Sequence, residues 1–161
     1  MQSQRFLPDQ TTFPLDEQIR RCAILISHSW EEKHLTFSAE LESVDCTSNE
    51  ELLRQVWINL LNNAIRYTPP GGEIGVELRQ VGGEVVVRGW DTGSGMTPEV
   101  QSHIFEKYYQ GAAEDKKHGL GLGLSIVHRI IELTEGRIEV DSQPEQGSSF
   151  TVYLPLNQKG A

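Results

Sequence analysis

Apolar residues Ile19, Cys22, Ala23, Ile26 and Trp30 recur at three- and four-residue intervals, which predicts a helix from Leu15 to about Lys33. The period then changes. Leu35, Phe37, Ala39 and Leu41 alternate, as in a half-buried strand. Val44 to Asn49 reads as a loop, with Ser48 or Asn49 placed to cap the next helix. That second helix, about Glu50 to Tyr67, carries the stripe Leu53, Val56, Trp57, Leu60, Leu61 and Ala64 and stops before Pro69-Pro70-Gly71-Gly72. Ile74-Val76-Leu78 and Val85-Val87 alternate on either side of Gly82-Gly83, which predicts a hairpin. Thr97 and Pro98 open a short helix over 97–103. Residues 106–118 have no period, and a loop of that length inside a compact domain is usually functional or mobile. Leu122, Ile126, Val127, Ile130 and Leu133 mark a third helix, and Ile138-Val140 and Phe150-Val152-Leu154 close the chain as strands. The expected fold class is an α/β two-layer sandwich, a mixed sheet of about five strands with three helices on one face. Residues 1–12 and 157–161 read as tails, which leaves 13–156 as one domain without repeats or an internal linker.

Charge narrows the function. Fourteen basic against 23 acidic residues give a net −9, with no long basic run, which argues against nucleic acid and anionic membranes as partners. Any phosphate site must therefore be built locally. No apolar run reaches the ~18–20 residues of a membrane helix. Cys22 and Cys46 form no metal-ligand pattern; Cys22 reads as a core residue and Cys46 as a loop thiol, in keeping with a reducing, cytoplasmic setting.

Four short blocks carry the candidate chemistry. In Asn59-Leu-Leu-Asn-Asn63-Ala-Ile-Arg66, helical geometry gathers Asn59, Asn63 and Arg66 within about 60° at the edge of the apolar stripe. They are either a solvated edge or polar groups facing a ligand; an amide oxygen suits Mg²⁺. Asp91-Thr-Gly93-Ser-Gly95 ends a strand in a turn whose glycines allow positive φ and close approach. A carboxylate there is either part of a plain turn or an acceptor for the exocyclic amine of adenine, which guanine lacks at that position. Phe105-Glu-Lys107 comes next, with Lys107, Lys116, Lys117 and His118 as loop charges able to meet phosphate or solvent. Gly119-Leu-Gly121-Leu-Gly123 opens the third helix with unpaired N–H groups at its positive end, and matches neither a Walker loop nor a dinucleotide fingerprint. Trp30, Trp57 and Trp90 read as packing residues and His128 as an exposed one.

In order and spacing, these blocks resemble the catalytic ATP-binding domain of bacterial sensor histidine kinases, of the superfamily shared with type II topoisomerases, a heat-shock chaperone and a mismatch-repair protein. The resemblance covers roughly residues 13–156. It implies ATP and Mg²⁺ as cofactors. It also implies Asn63 as the metal ligand, Asn59 supporting the phosphate end, Arg66 where the family has a phosphate-contacting Lys, and Tyr67 beside the adenine. Asp91, in the block with Gly93 and Gly95, would read the adenine. Gly119, Leu120, Gly121, Leu122 and Gly123 would form the second glycine box, residues 106–118 the lid, and Ser149 a hydroxyl near the adenine. Lys107 would join Asn59 and Asn63 as a catalytic group. Arg66 for Lys, Arg88-Gly-Trp90 before Asp91, and Thr134-Glu135-Gly136 for His-Gly-Gly depart from the family pattern.

Two details bear on the reaction. ATP-hydrolysing relatives carry a Glu four residues before the metal Asn; here Asn59 stands there, and an amide cannot act as a base. The family's phosphate acceptor is a His on a separate helical-hairpin dimerisation domain, and none of His28, His34, His103, His118 and His128 lies in such a motif. The resemblance thus implies phosphoryl transfer to a partner domain, with a response regulator served indirectly and a place in the cytoplasmic part of a sensor. A superfamily ATPase, a non-catalytic nucleotide-binding module and a serine kinase are the alternatives.

Overall fold

The computed structural model describes residues 9–106 and 123–157. The elements run β1 (Gln10–Pro14), α1 (Leu15–Leu25), α2 (Ser27–Glu32), β2 (Thr36–Leu41), β3 (Asp45–Asn49), α3 (Glu50–Tyr67), β4 (Glu73–Val81), β5 (Glu84–Asp91), α4 (Pro98–Gln101), α5 (Gly123–Leu133), β6 (Arg137–Ser142) and β7 (Ser148–Pro155). A five-stranded sheet has the order β2-β4-β5-β7-β6. β2 runs parallel to β4 and every other pair is antiparallel, so the sheet is mixed as expected. The core lies between α1, α3, α5 and the sheet face carrying Val76, Leu78, Val85, Val87, Phe150, Val152 and Leu154. The two-layer sandwich of the sequence reading is what the chain forms.

Several local expectations need correction. Gln10–Thr12 belong to β1 and not to a tail, and Asp45–Asn49 form β3 and not a loop, because the two segments pair antiparallel in a small sheet of their own. Both are too polar to announce themselves; the partner strand is what satisfies their backbone. Cys46 is consequently fully buried. Burial pushes the thiols of Cys22 and Cys46 up to about 11, so both are inert near neutrality. The first predicted helix breaks at Ile26 into α1 and α2. Asn49, not Ser48, caps α3, its Oδ1 accepting from Leu52 N at 2.9 Å.

The helix carrying the first block is fixed by a buried polar link that periodicity did not reveal. Gln18 on α1 donates from Nε2 to the Glu50 carbonyl at 2.8 Å and accepts from Trp57 Nε1 at 2.7 Å. Gln18→Ala would leave the buried Trp57 N–H without its partner, at a cost of about 2 kcal/mol. The expected drop in melting temperature is roughly 4–8 °C; thermal unfolding of the variant checks it, and an unchanged midpoint would refute the role.

Candidate functional site

Two seams join the separated blocks, one at each end of the last two turns of α3. At the first, the end of β5 meets the end of the helix. Ser94 N donates to the Tyr67 carbonyl at 3.2 Å. Gly93 is pressed so close that an added Cβ would overlap that same oxygen and stand 2.9 Å from Asp91 Oδ1. Only a residue without a side chain fits. Asp91 itself is 8% exposed. The Gly93 N–H donates to its Oδ1 at 2.7 Å, and the Ser148 N–H also points to it. Burial raises the carboxyl above the usual range, opposed by those two N–H groups.

The loop after Asp91 is also pinned from the β6–β7 side. Gly95 has φ of +68°, and a Cβ there would collide with the Gln143 carbonyl. Gly147, at φ +88°, leaves no room for a Cβ beside the Asp91 carbonyl. Ser142 Oγ accepts from Met96 N at 2.8 Å and donates to Gly147 O at 3.1 Å. The glycines thus serve packing of three chain segments around one carboxylate.

At the second seam α5 begins beside α3. The Asn59 amide donates from Nδ2 to Gln55 O at 2.8 Å, and its Oδ1 would lie 3.3 Å from a Cβ on Gly123. Between the seams, Asn63 is half-buried, and among the described residues its amide makes no hydrogen bond. Arg66 lies with its guanidinium carbon 5.7 Å from the centre of the Tyr67 ring. Asn59 and Tyr67 are eight residues apart, about 12 Å along a helix. Phe105 packs on the core and meets His128 of α5, ring centres 5.2 Å apart, so His128 is half-buried and not simply exposed.

Asn59, Asn63, Arg66 and Tyr67 thus lie on α3 between the seams, with Asp91, Gly93 and Gly95 at one end and Gly123 at the other. Ser149 lies on the opposite sheet face. It pairs with Trp90, whereas Ser148 pairs with Asp91, and facing residues in a ladder share a sheet face. Asp91 sits on the helix-covered face with Ile74 and Ser148; Trp90 lies on the other, its ring against Gly75. The hydroxyl on the Asp91 side is that of Ser148, 2.8 Å from Ser142 Oγ. The signal was in the sequence: Phe150, Val152 and Leu154 point inward, so by period two Ser148 does as well. Lys107, Lys116, Lys117, His118, Gly119, Leu120, Gly121 and Leu122 lie outside the described residues. A cleft of about 620 Å³ between α1 and the start of α3, walled by Arg21, Cys22, Leu25, Glu51 and Arg54, includes none of these site residues.

The profile of the family described as "Histidine kinase-, DNA gyrase B-, and HSP90-like ATPase" matches residues 48–158, a span that contains both seams. This chain belongs to that family. Its relatives include the adaptive-response sensory kinase SasA of Microcystis aeruginosa, 39% identical over 155 residues, 94% of this chain and 40% of that protein. The heme sensor protein HssS of Staphylococcus saprophyticus is 37% identical over 138 residues, 86% of this chain and 30% of that protein. The chain thus spans well under half of the length of these curated relatives. Among solved structures, the catalytic domain of histidine kinase ThkA superposes with a TM-score of 0.83 at 28% identity, covering 92% of this chain and 97% of that one. Full-length ShkA, in a complex with AMPPNP, gives a TM-score of 0.83 at 26% identity, with 95% of this chain and 32% of that chain covered. Membership of the family implies an ATP-binding domain.

Proposed function

We propose that this chain is the ATP-binding catalytic domain of a histidine kinase, which presents Mg·ATP to a histidine on a separate dimerisation domain in two-component signalling. The observation that carries the reading is the pair of seams. A buried carboxylate and a helix start lie at opposite ends of two turns of α3, with an amide between them that has no partner among the described residues. Asp91 accepts from the adenine amine, and rigid packing by Gly93, Gly95 and Gly147 holds it there. Asn63 has the half-buried amide oxygen a hard cation takes, and its lack of a protein partner among the described residues fits that role. Asn59 steadies the phosphate end with the N–H groups at the start of α5, and Arg66 or Lys107 adds positive charge. Bound Mg²⁺ would supply charge neutralisation on the triphosphate. Little covalent help is needed, since phosphoryl transfer depends on positioning and electrostatics. Asn59 cannot deprotonate water, which favours a protein acceptor over hydrolysis.

The relatives support the partner side. Two are named as sensory or sensor proteins, and ThkA has been solved with a response regulator protein, TrrA, at a TM-score of 0.78 and 27% identity. A cytoplasmic domain serving a response regulator through the hairpin's phosphohistidine follows from that reading.

Asn63→Ala, assayed with a supplied hairpin domain, is expected to lower phosphoryl transfer roughly 100-fold or more and to abolish the dependence of ATP binding on Mg²⁺. Transfer at the native rate would remove the metal assignment. Free-ATP turnover at ordinary enzyme rates by the unaltered chain would favour a superfamily ATPase instead.

A further inference from the structure

Lys33, in the turn between α2 and β2, stands outside all four blocks. Its ammonium donates to the Ile65 carbonyl at 2.7 Å and lies 3.4 Å from the Arg66 carbonyl, two of the last acceptors of α3. Among the described residues it pairs with no carboxylate. Burial lowers its pKa below the ordinary lysine value. A cation at this place supplements the single long bond that the Ile65 carbonyl accepts from Thr68 N, 3.4 Å, and answers the negative end of the helix. The stitching continues on the backbone. Gly71 N donates to Lys33 O at 3.0 Å and Thr36 N to Gly72 O at 2.9 Å. The next residue after Arg66 is Tyr67, whose carbonyl accepts from Ser94 N and crowds Gly93, whose own N–H holds Asp91.

We propose that Lys33 is a positioning residue for purine recognition: it clamps the last turn of α3, and through the Tyr67 carbonyl sets where the 93–94 backbone presents Asp91. It touches no nucleotide on this reading, and it rests on the proposed adenine role of Asp91. Its effect is therefore on discrimination of the base. The clamp bonds backbone carbonyls, those of Ile65 and Arg66, while the proposed metal amide of Asn63 stands two residues before Ile65 and the phosphate-end Asn59 about 9 Å away along the helix.

The test is calorimetric titration of the whole chain and of K33M and K33R with Mg·ATP and with purine riboside triphosphate, which lacks the exocyclic amine. The titrations are run below each variant's melting point. The unaltered chain is expected to prefer ATP strongly. K33M is expected to lose roughly tenfold of that preference with its Mg²⁺ dependence unchanged, and K33R to retain most of it. A variant merely loosened would weaken both nucleotides alike and keep their ratio. K33M with the native ratio overturns the proposal and leaves the Asp91 reading standing. No preference in the unaltered chain overturns the Asp91 reading, and the clamp's purpose with it. Should K33M fail to fold at the titration temperature, K33Q, neutral but still a donor, is read by the same two ratios.

Discussion

Asp91→Asn is expected to weaken ATP binding at least roughly 100-fold while leaving the fold intact, because a site built around one polar contact discriminates strongly against its loss. The carboxylate is 8% exposed and accepts from the Gly93 and Ser148 N–H groups, so its acceptor face is preset before any ligand arrives. An amide of the same shape turns a donor toward the adenine amine. The raised pKa adds a signed second measurement. A carboxyl whose folded pKa lies above its unfolded value near 3.8 binds its proton more tightly when folded, so ionising it costs stability. That cost grows as pH rises through the window between the two values and is fully present above the folded one. On acidification from pH 7 through that window, the native chain should therefore gain stability relative to Asp91→Asn, while its ATP affinity falls as the acceptor is protonated. Parallel urea titrations and nucleotide titrations at each pH measure the two. A stability difference that runs the other way, or native affinity in Asp91→Asn, would refute the assignment.

Gly95→Ala is expected to give the largest loss of stability. The residue sits at φ +68°, where a Cβ is disfavoured by roughly 1–2 kcal/mol, and the added carbon would collide with the Gln143 carbonyl. Backbone must move, and the combined cost is about 3 kcal/mol or more. The melting temperature should fall by roughly 6–12 °C for a domain of this size. Relaxation of the 142–147 turn would also release Met96 N and Gln101 Nε2 from Ser142. ATP affinity should fall with stability, since the same turn brings Gly147 against the Asp91 carbonyl. Gly82→Ala is the internal control: Gly82 also has positive φ, +61°, but a Cβ there meets nothing within 4 Å, so only the smaller conformational cost applies. Equal losses in the two variants would show that contact with Gln143 contributes nothing.

By itself the chain determined what repeats along it. The 3.6-residue period of Leu53 to Ala64 wrote α3, and the alternation through Ile74 to Leu78 and Phe150 to Leu154 wrote the central strands. The four blocks were legible because glycine, asparagine and aspartate at fixed spacings carry chemistry that a plain core does not need. Tertiary structure decided the rest, wherever a residue's role depends on something distant. β1 and β3 are strands only because each supplies the other's hydrogen bonds. Cys46 is buried by that pairing, and Ser148 rather than Ser149 shares the side of Asp91 through cross-strand register. Gln18 and Lys33 look like surface residues in one dimension. They acquire partners 32 and 39 residues away in the chain only when α1 and the α2–β2 turn pack on α3. Local periodicity carries information about which face is apolar; it carries none about which polar group will be left to meet which backbone across the core.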